Sequence, residues 1–178
     1  MIYLLDHNST IPMFYEIADY VAEGKVQYTA FRSESPRRPY IRRFSQGLQG
    51  RAFQQCFDWG RDSFQWMAFT DLDEMLVLTD PKYNSSLPAL LRNYEEHGAV
   101  LAHWVRLGSS GVEERQPGQG LLETFTKCTP VRDHVKGIAN LRYASLGINA
   151  HTFFYHGGRR GIRPGDNRRV GVAHALRK

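Results

Sequence analysis

Three acidic side chains interrupt an otherwise apolar part of the sequence. The segment WMAFTDLDEMLVL, residues 66–78, passes from one apolar run through Asp71, Asp73 and Glu74 into a second apolar run. Burying carboxylates is unfavourable unless cations or hydrogen-bond donors pair with them. On an extended chain, residues two apart point to the same side, so Asp71 and Asp73 lie close together and repel each other. This pattern predicts a cation between them.

The chemistry of these acids favours a hard divalent cation. Carboxylate oxygens suit Mg²⁺ or Mn²⁺, which keep coordination positions open for phosphate oxygens. A cation held in this way neutralises the diphosphate leaving group of a nucleotide. The segment therefore predicts a metal ion and, through it, a nucleotide diphosphate. A surface turn with three solvated acids is the alternative, but the hydrophobic strand that leads into the acids favours a cleft.

A second class of metal-using enzyme carries the same D-x-D pattern. Phosphatases of the haloacid-dehalogenase type place it after a hydrophobic strand and use the first Asp as a nucleophile. Their pattern has Thr or Val two residues after the second Asp, whereas this chain has Met75 there. Their motif also lies on the first strand of the fold, and at least two predicted strands precede residue 71. The phosphatase alternative is therefore disfavoured.

Strands and helices alternate along the chain and place the acids at the end of a strand. Apolar and alternating runs predict strands, and amphipathic runs that stop at glycine predict helices. The predicted strands are 2–6, 25–31, 66–71, 75–78 and 99–107, the predicted helices are 12–23, 45–59 and 87–97, and the segments 121–128, 135–141 and 148–156 are shorter strands or connectors. This order predicts an α/β fold with a mixed, mainly parallel sheet flanked by helices. Ligands bind beyond the carboxyl ends of such strands, where Asp6 and Asp71 both lie.

The length and charge of the chain indicate one folded domain and a basic tail. The chain has 178 residues, of which 42% are hydrophobic. No run approaches the ~20 apolar residues that span a bilayer. Residues 157–178 contain seven Arg or Lys side chains and one acid, so the tail carries +6 and the remainder sits near −1. The sequence therefore predicts a folded domain over 1–156 and a basic, flexible tail over 157–178, with no specific nucleic acid as a partner.

The two cysteines, Cys56 and Cys128, form no C-x-x-C motif. The sequence therefore predicts neither a zinc knuckle nor a thioredoxin-like site. Each cysteine suits a small position in a core, and the sequence leaves open whether a disulfide joins them.

Five short motifs follow one another over residues 2–156. They are LLDHNST (4–10), Gln49 and Cys56 ahead of WMAFTDLDEML (66–76), HWVRLGSSG (103–111), ETFTK (123–127) and VKGIANLRYASLGINAHTFF (135–154). In this order they resemble glycosyltransferase family 92, the former DUF23 group, and related enzymes of the GT-A fold. The block around DLDE together with GSSG carries the resemblance most strongly.

The resemblance implies a metal-dependent enzyme. It would transfer a hexose from a UDP- or GDP-linked sugar to a hydroxyl of a glycan acceptor, with inversion at the anomeric carbon. Asp71 and Asp73 would match the D-x-D that holds Mn²⁺ (or Mg²⁺) and the donor diphosphate, and His151 would complete the metal site. A strand histidine bonded to a carbonyl is the structural alternative for His151.

The resemblance also places residues on the donor side. Asp6 would lie near the base or ribose, Gln49 would face the nucleotide, and Lys136 would reach a phosphate. The structural alternatives are a loop-capping aspartate, a helix-surface amide and a solvated lysine.

On the acceptor side, the resemblance implicates the glycine-rich loop and its flanks. Ser109 and Ser110 would line this side near Trp104, which would stack on a sugar face. A plain turn and a core tryptophan are the alternatives. Inversion requires a general base, and Glu123 is the preferred candidate because it leads into a predicted strand. The other candidates are Glu74, Glu113 and Glu114.

Two features depart from the family pattern. Met75 stands where the family has an aromatic residue after D-x-D-E. The first predicted strand corresponds to the second strand of a GT-A domain, so the domain is expected to be N-terminally incomplete and its activity impaired. The resemblance suggests a Golgi or secretory location on the lumenal side, through a membrane anchor that would precede residue 1. A catalytically inactive relative that binds carbohydrates or anions is the alternative function.

Overall fold

The fold is mixed α/β. The computed structural model describes residues 1–7, 9–30, 47–71, 74–114, 116–128, 134–147, 149, 151–164 and 169–170. Within them the strands are β1 (Ile2–Asp6), β2 (Val26–Ala30), β3 (Trp66–Ala68), β4 (Ala99–His103), β5 (Val135–Asn140), β6 (Ala144–Gly147), β7 (Phe153–Tyr155), β8 (Gly161–Ile162) and β9 (Arg169–Val170). The helices are α1 (Phe14–Ala22), α2 (Leu48–Gly60), α3 (Leu87–Leu91) and α4 (Leu121–Thr124). Among these described helices, none combines the length and the apolar character that a membrane crossing requires.

The described strands form three sheets. β1 and β2 pair in parallel around α1, so residues 2–30 form a β-α-β unit. The largest sheet has the order β3-β5-β4-β8-β9, in which β4 and β8 are parallel and the other neighbours are antiparallel. β6 and β7 form an antiparallel pair.

The mainly parallel sheet that the sequence predicts does not hold among the described strands, where four of six pairs are antiparallel. A parallel pair needs a crossover of a dozen or more residues, usually a helix. α1 supplies such a crossover between β1 and β2. Short connections join β6 to β7 and β8 to β9, and such connections suit antiparallel neighbours.

Strand β5 separates two apolar clusters. Ala139 packs in a cluster that contains Phe57 of α2, whereas its neighbour Ile138 packs in a second cluster with Leu90 of α3. This division follows from the strand geometry, because successive side chains point to opposite faces of a sheet. Lys136 lies two residues before Ile138 and therefore on the same face, next to Ala102 of β4.

Gly137 allows a close approach to β5. A Cβ atom at this position would lie 2.5 Å from the ring of Phe153 and 2.7 Å from the carbonyl oxygen of His151. A side chain there would force both groups away. The glycine therefore fixes how closely the segment that contains His151 can pack on the sheet.

An aromatic stack anchors the chain just before the acidic segment. Phe69 is buried, and its ring lies 4.3 Å from that of Phe53 and 5.1 Å from that of Phe57, both on α2. Because aromatic burial is strongly favourable, this stack fixes the end of the chain segment that leads to Asp71.

One predicted strand is wrong and one helix is shorter than predicted. Residues 75–78 form no strand, and the side chains of Met75 and Val77 are exposed. Segment 121–128, for which the sequence leaves a short strand or a connector open, begins with the helical turn α4. The predicted helix 87–97 divides into α3 and a 3₁₀ turn, Arg92–Tyr94. Strand β6 lies between two predicted elements and was not predicted.

The described sheet extends beyond the domain boundary predicted at residue 156. Gly161 and Ile162 are buried and pair with Ala99 and Val100 of β4. Residues 165–168 and 171–178 lie outside the described residues, so a flexible tail there stays a prediction.

Both cysteines are free. Cys56 is buried on α2 and Cys128 is exposed. Burial raises the pKa of the Cys56 thiol to about 11. Cys56 is thus the small core residue that the sequence suggests.

Candidate functional site

A buried lysine pairs with two of the three acids. Lys136 Nζ lies 2.9 Å from Asp71 Oδ2 and 2.9 Å from Glu74 Oε2. The side chains of Lys136 and Glu74 are 9% and 12% exposed, whereas that of Asp71 is 57% exposed. Lys136 and Glu74 are therefore buried, whereas the Asp71 carboxylate is open to solvent.

The antiparallel register explains why Lys136 reaches these acids. Ala68 of β3 pairs with Ile138 of β5, and the two strands run in opposite directions. The residues that follow β3 therefore lie beside the residues that precede Ile138. This arrangement brings Asp71 to Lys136 although 65 positions separate them in the sequence.

Glu74 closes a turn on Asp71. Its Oε2 accepts a hydrogen bond of 3.0 Å from the backbone N–H of Asp71, and its own N–H donates to the Asp71 carbonyl oxygen at 3.1 Å. Leu72 and Asp73, between them, lie outside the described residues. The structure thus positions the first aspartate of the predicted D-x-D, and the place of Asp73 stays a prediction.

Lys136 is held in its charged form. Burial acts to lower the pKa of Lys136, but hydrogen bonds to Glu74 and Asp71 outweigh this effect, so the pKa lies above its ordinary value. A permanent ammonium group therefore lies at the centre of the cluster at neutral pH.

His151 lies beside this cluster and is held in its neutral form. Burial lowers the pKa of His151, and the charges of Lys136 and His134 lower it further. A backbone hydrogen bond to Val135 acts in the opposite direction. Nδ1 of His151 is buried without a hydrogen-bond partner among the described residues. The interaction with the Val135 backbone fits the predicted alternative of a histidine bonded to a carbonyl, although His151 lies before β7 and not in a strand. The lone pair of the buried Nδ1 stays available to a ligand.

The donor atoms at the site are of the types that Mn²⁺ or Mg²⁺ takes. Glu74 Oε1, like His151 Nδ1, is buried and has no hydrogen-bond partner among the described residues. Carboxylate oxygens suit both ions, and a neutral imidazole with its second nitrogen bonded to a carbonyl is the usual form of a metal-binding histidine. The described residues alone contain no group of three or more His, Cys, Asp or Glu side chains that could hold a metal ion. Asp73, which lies outside the described residues, stays the predicted further ligand.

Trp104 and His134 border the cluster. The ring of Trp104 lies 5.6 Å from that of His134 and 6.1 Å from that of His151, measured between centroids. The Arg106 guanidinium lies 5.0 Å from the centre of the Trp104 ring, and its Nη2 lies 3.4 Å from His134 Nδ1. The half-buried tryptophan is thus placed between a cationic side chain and two histidines.

The other acceptor-side residues hold the glycine-rich loop. Ser110 has a φ of 59°, and its hydroxyl oxygen accepts hydrogen bonds of 2.9 Å from the N–H groups of Thr126 and Lys127. Ser109 Oγ accepts a bond of 3.4 Å from the N–H of Gly111. Contact of either serine with an acceptor stays a prediction.

Glu123 and Gln49 lie on helices and are exposed. Glu123 belongs to α4, and its Oε2 accepts a hydrogen bond of 3.1 Å from the N–H of Gly120, so it caps this helical turn. Gln49 is the second residue of α2. A catalytic role for Glu123 and a nucleotide contact for Gln49 stay predictions.

Asp6 holds the loop that leads into α1. Its oxygens accept hydrogen bonds from the N–H of Ser9 at 3.1 Å, the N–H of Met13 at 3.0 Å and the hydroxyl of Tyr28 at 2.8 Å. Hydrogen bonds from Ser9, Met13 and Tyr28 keep the pKa of this buried carboxyl well below its usual range. These contacts fit the loop-capping alternative, and a nucleotide contact stays a prediction.

Comparison with known families identifies the family of the chain. A sequence model described as glycosyltransferase family 92 matches residues 1–170. The chain belongs to glycosyltransferase family 92. The predicted resemblance is thereby confirmed, and it favours glycosyl transfer over the phosphatase alternative. No curated protein matches the chain.

Within this family 92 domain, the structure brings several predicted residues together. Asp71, Lys136, His151 and Trp104 share one cluster, whereas Asp6 is bonded within its own loop. The sequence missed two members of the cluster, and named Glu74 only as a candidate base. The missed members are Arg106 and His134. Arg106 lies two residues after Trp104, and His134 lies two residues before Lys136.

Proposed function

We propose that this family 92 domain transfers a hexose from a UDP- or GDP-linked sugar to a glycan hydroxyl, with Mn²⁺ or Mg²⁺ and with inversion. Membership of the family establishes a role in glycosyl transfer. The observation that supports the finer proposal is the cluster of Asp71, Glu74, Lys136 and His151, in which two buried polar atoms have no hydrogen-bond partner among the described residues. Buried polar atoms are costly unless they are paired, so these two favour a ligand.

The donor side of the proposed site combines a cation site with a lysine. Asp71, Asp73 and His151 would hold the divalent ion, which would neutralise the diphosphate as it leaves. Lys136 would hold a phosphate oxygen through its ammonium group, because an ammonium is a compact charge that suits phosphate. Gln49 is proposed as a contact to the nucleotide.

The acceptor side lies around the half-buried Trp104. Trp104 is proposed to stack on a sugar ring, in exchange for part of its present contact with Arg106. The loop that contains Ser109 and Ser110 follows Trp104 in the sequence. Glu123 is our candidate for the general base, because its carboxylate is exposed and fixed by the bond to Gly120. The secretory pathway is the compartment that we propose, from the family resemblance alone.

The test is an assay of sugar transfer with the purified chain. UDP- and GDP-hexoses are incubated with Mn²⁺ and a panel of glycans, and release of nucleoside diphosphate and formation of product are both measured. We expect Asp73→Ala to abolish transfer and chelation of the metal to do the same. Asp80→Ala is the matched control, because Asp80 is an exposed acid outside the cluster that pairs with Lys82.

Two outcomes would contradict the proposal. Transfer that persists in a chelator would exclude the metal-dependent mechanism. Binding of polyanions without any nucleotide-sugar turnover, unchanged in Asp73→Ala and strongly reduced by salt, would instead support an inactive anion-binding relative. The anomeric configuration of the product, determined by NMR, tests inversion separately.

A further inference from the structure

The two acids that are described in the acidic segment already have a cation. Lys136 bonds one oxygen of Asp71 and one oxygen of Glu74, and both bonds are 2.9 Å long. We propose that Lys136 is a resident counter-ion that competes with the divalent metal for these carboxylates and moves to the donor diphosphate when the metal binds. This inference rests on the proposed function, since it concerns the same site.

The competition follows from charge. A divalent ion bound to Asp71 would lie close to the Lys136 ammonium, and like charges in a buried site repel strongly. Binding of either cation to the Asp71 carboxylate therefore weakens the binding of the other. Removal of the ammonium therefore makes the carboxylates more available to the metal, and removal of the metal makes them more available to the ammonium.

Displacement of the ammonium would leave the backbone of Lys136 in place. The backbone of Lys136 is held in β5 beside Ala102, so movement is confined to its flexible side chain. The Asp71 side chain is 57% exposed, which leaves an open path on the side where a metal and a diphosphate would arrive. A diphosphate offers the displaced ammonium a new anionic partner.

Glu74 can take part in both states. Its Oε2 serves Lys136 and the Asp71 N–H, while its buried Oε1 has no hydrogen-bond partner among the described residues. When the ammonium leaves, Glu74 keeps the bond to Asp71 and so keeps the turn closed. The carboxylate of Asp71 is then held in place without the lysine.

Lys136→Met separates competition with the metal from contact with the diphosphate. This substitution removes the charge and keeps most of the side-chain volume. Titration with Mn²⁺ alone is expected to show about tenfold tighter binding than in the wild type, and titration with UDP or GDP in saturating Mn²⁺ about tenfold weaker binding. Lys82→Met is the matched control, because Lys82 pairs with Asp80 in an exposed ion pair outside the cluster. We expect neither titration to change in this control.

The outcomes distinguish this inference from the proposed function. Equal or weaker Mn²⁺ binding in Lys136→Met overturns the inference, while Mn²⁺-dependent nucleotide binding in the wild type leaves the proposed function intact. If neither the wild type nor Lys136→Met binds Mn²⁺, the inference and the proposed metal-dependent function are both contradicted. If only Lys136→Met binds Mn²⁺, the competition is supported and the metal dependence of the wild type is not.

A second measurement uses the wild-type protein and does not depend on the folding of the variant. Acetylation of each lysine by a small reagent is followed by mass spectrometry with and without Mg²⁺. The rate at Lys136 is expected to rise several-fold with Mg²⁺ because the ammonium is displaced from its buried partners, and the rate at Lys82 to stay constant. An unchanged rate at Lys136 in Mg²⁺-saturated protein overturns the inference.

Discussion

Two aspartates follow apolar strands in this domain, and their surroundings differ. Asp6 ends β1, is 6% exposed, and accepts hydrogen bonds from two backbone N–H groups and from the hydroxyl of Tyr28. Asp71 follows β3, and its side chain is 57% exposed and bonded to the ammonium of Lys136. Asp6 thus accepts hydrogen bonds from neutral donors in the following loop and in β2. Asp71 instead pairs with a cation from a strand that is distant in the sequence.

The difference indicates which of the two can exchange partners. The bonds to Asp6 hold a loop, so breaking them for a ligand would disturb the entry into α1. The bond to Asp71 comes from a flexible side chain, and the carboxylate is open to solvent, so a ligand can replace or share it without unfolding the turn. The contacts of Asp6 thus fit a structural role, and Asp71 is the more available of the two acids for ligand chemistry.

The largest expected effect is on ligand binding at Asp71. Asp71→Asn should weaken Mn²⁺-dependent binding of UDP or GDP by roughly a hundredfold, because it removes the charge of a proposed metal ligand and of the exposed partner of Lys136. Calorimetric titration measures the change, and Asp6→Asn serves as the comparison variant. If Asp6→Asn, once shown to be folded, lost as much affinity as Asp71→Asn, the distinction between the two acids would be wrong.

Packing behind the Asp71 site is expected to give the largest effect on stability. Gly137→Ala should lower the free energy of unfolding by about 2–3 kcal/mol, because the new methyl group would overlap the Phe153 ring and the His151 carbonyl. Urea unfolding measures this loss. Gly108→Ala is the control, since a methyl group there would make an ordinary contact of 3.6 Å with the carbonyl of Lys127. Equal stability of the two variants would show that the close approach to β5 is not needed.

The contribution of Asp6 to stability should depend on pH. Its pKa in the folded state lies below the unfolded value, so its contribution to stability is complete above about pH 4 and is lost as the pH falls through the folded pKa. Asp6→Asn should therefore lower Tm at neutral pH, and the gap from the wild type should narrow on acidification. Thermal unfolding from pH 7 downward measures this. A gap that is constant with pH would rule out the charged carboxylate as the source of stability.

Tyr28→Phe should have the smallest effect. It removes the hydroxyl that donates to Asp6 at 2.8 Å and leaves the two backbone bonds in place. The Tm is expected to fall by less than in Asp6→Asn. Tyr15→Phe controls for loss of an exposed hydroxyl, and its Tm should match that of the wild type. A larger fall in Tyr28→Phe than in Asp6→Asn would assign the stability to Tyr28 itself.

The sequence predicted the elements whose patterns are local. Strand β1 has its predicted bounds, and α1, β2 and α2 lie within three residues of theirs, because apolar periodicity and terminal glycines mark them. It did not predict the pairing of the strands, because alternation of strands and helices does not determine which strands become neighbours. The apolar run 75–78 was read as a strand, although its side chains are largely exposed.

Only part of the candidate site could be predicted, because its contacts also depend on which strands pair. Asp71, Lys136 and His151 were each singled out by motif, but the ion pair between Asp71 and Lys136 depends on the β3–β5 register, which no local spacing reveals. Arg106 could have been found, because it lies two residues after Trp104 and so on the same side of an extended chain. His134 could have been found in the same way, because it lies two residues before Lys136.

The most direct test of the central claim is a calorimetric titration of UDP and GDP into the wild-type chain, with and without Mn²⁺. The claim is that the acidic segment with Asp71 at its exposed end is a metal-dependent site for a nucleotide diphosphate. It predicts binding of one nucleotide in the presence of Mn²⁺ and none in its absence. Failure of both nucleotides to bind in Mn²⁺, or binding of equal strength without the metal, would contradict it.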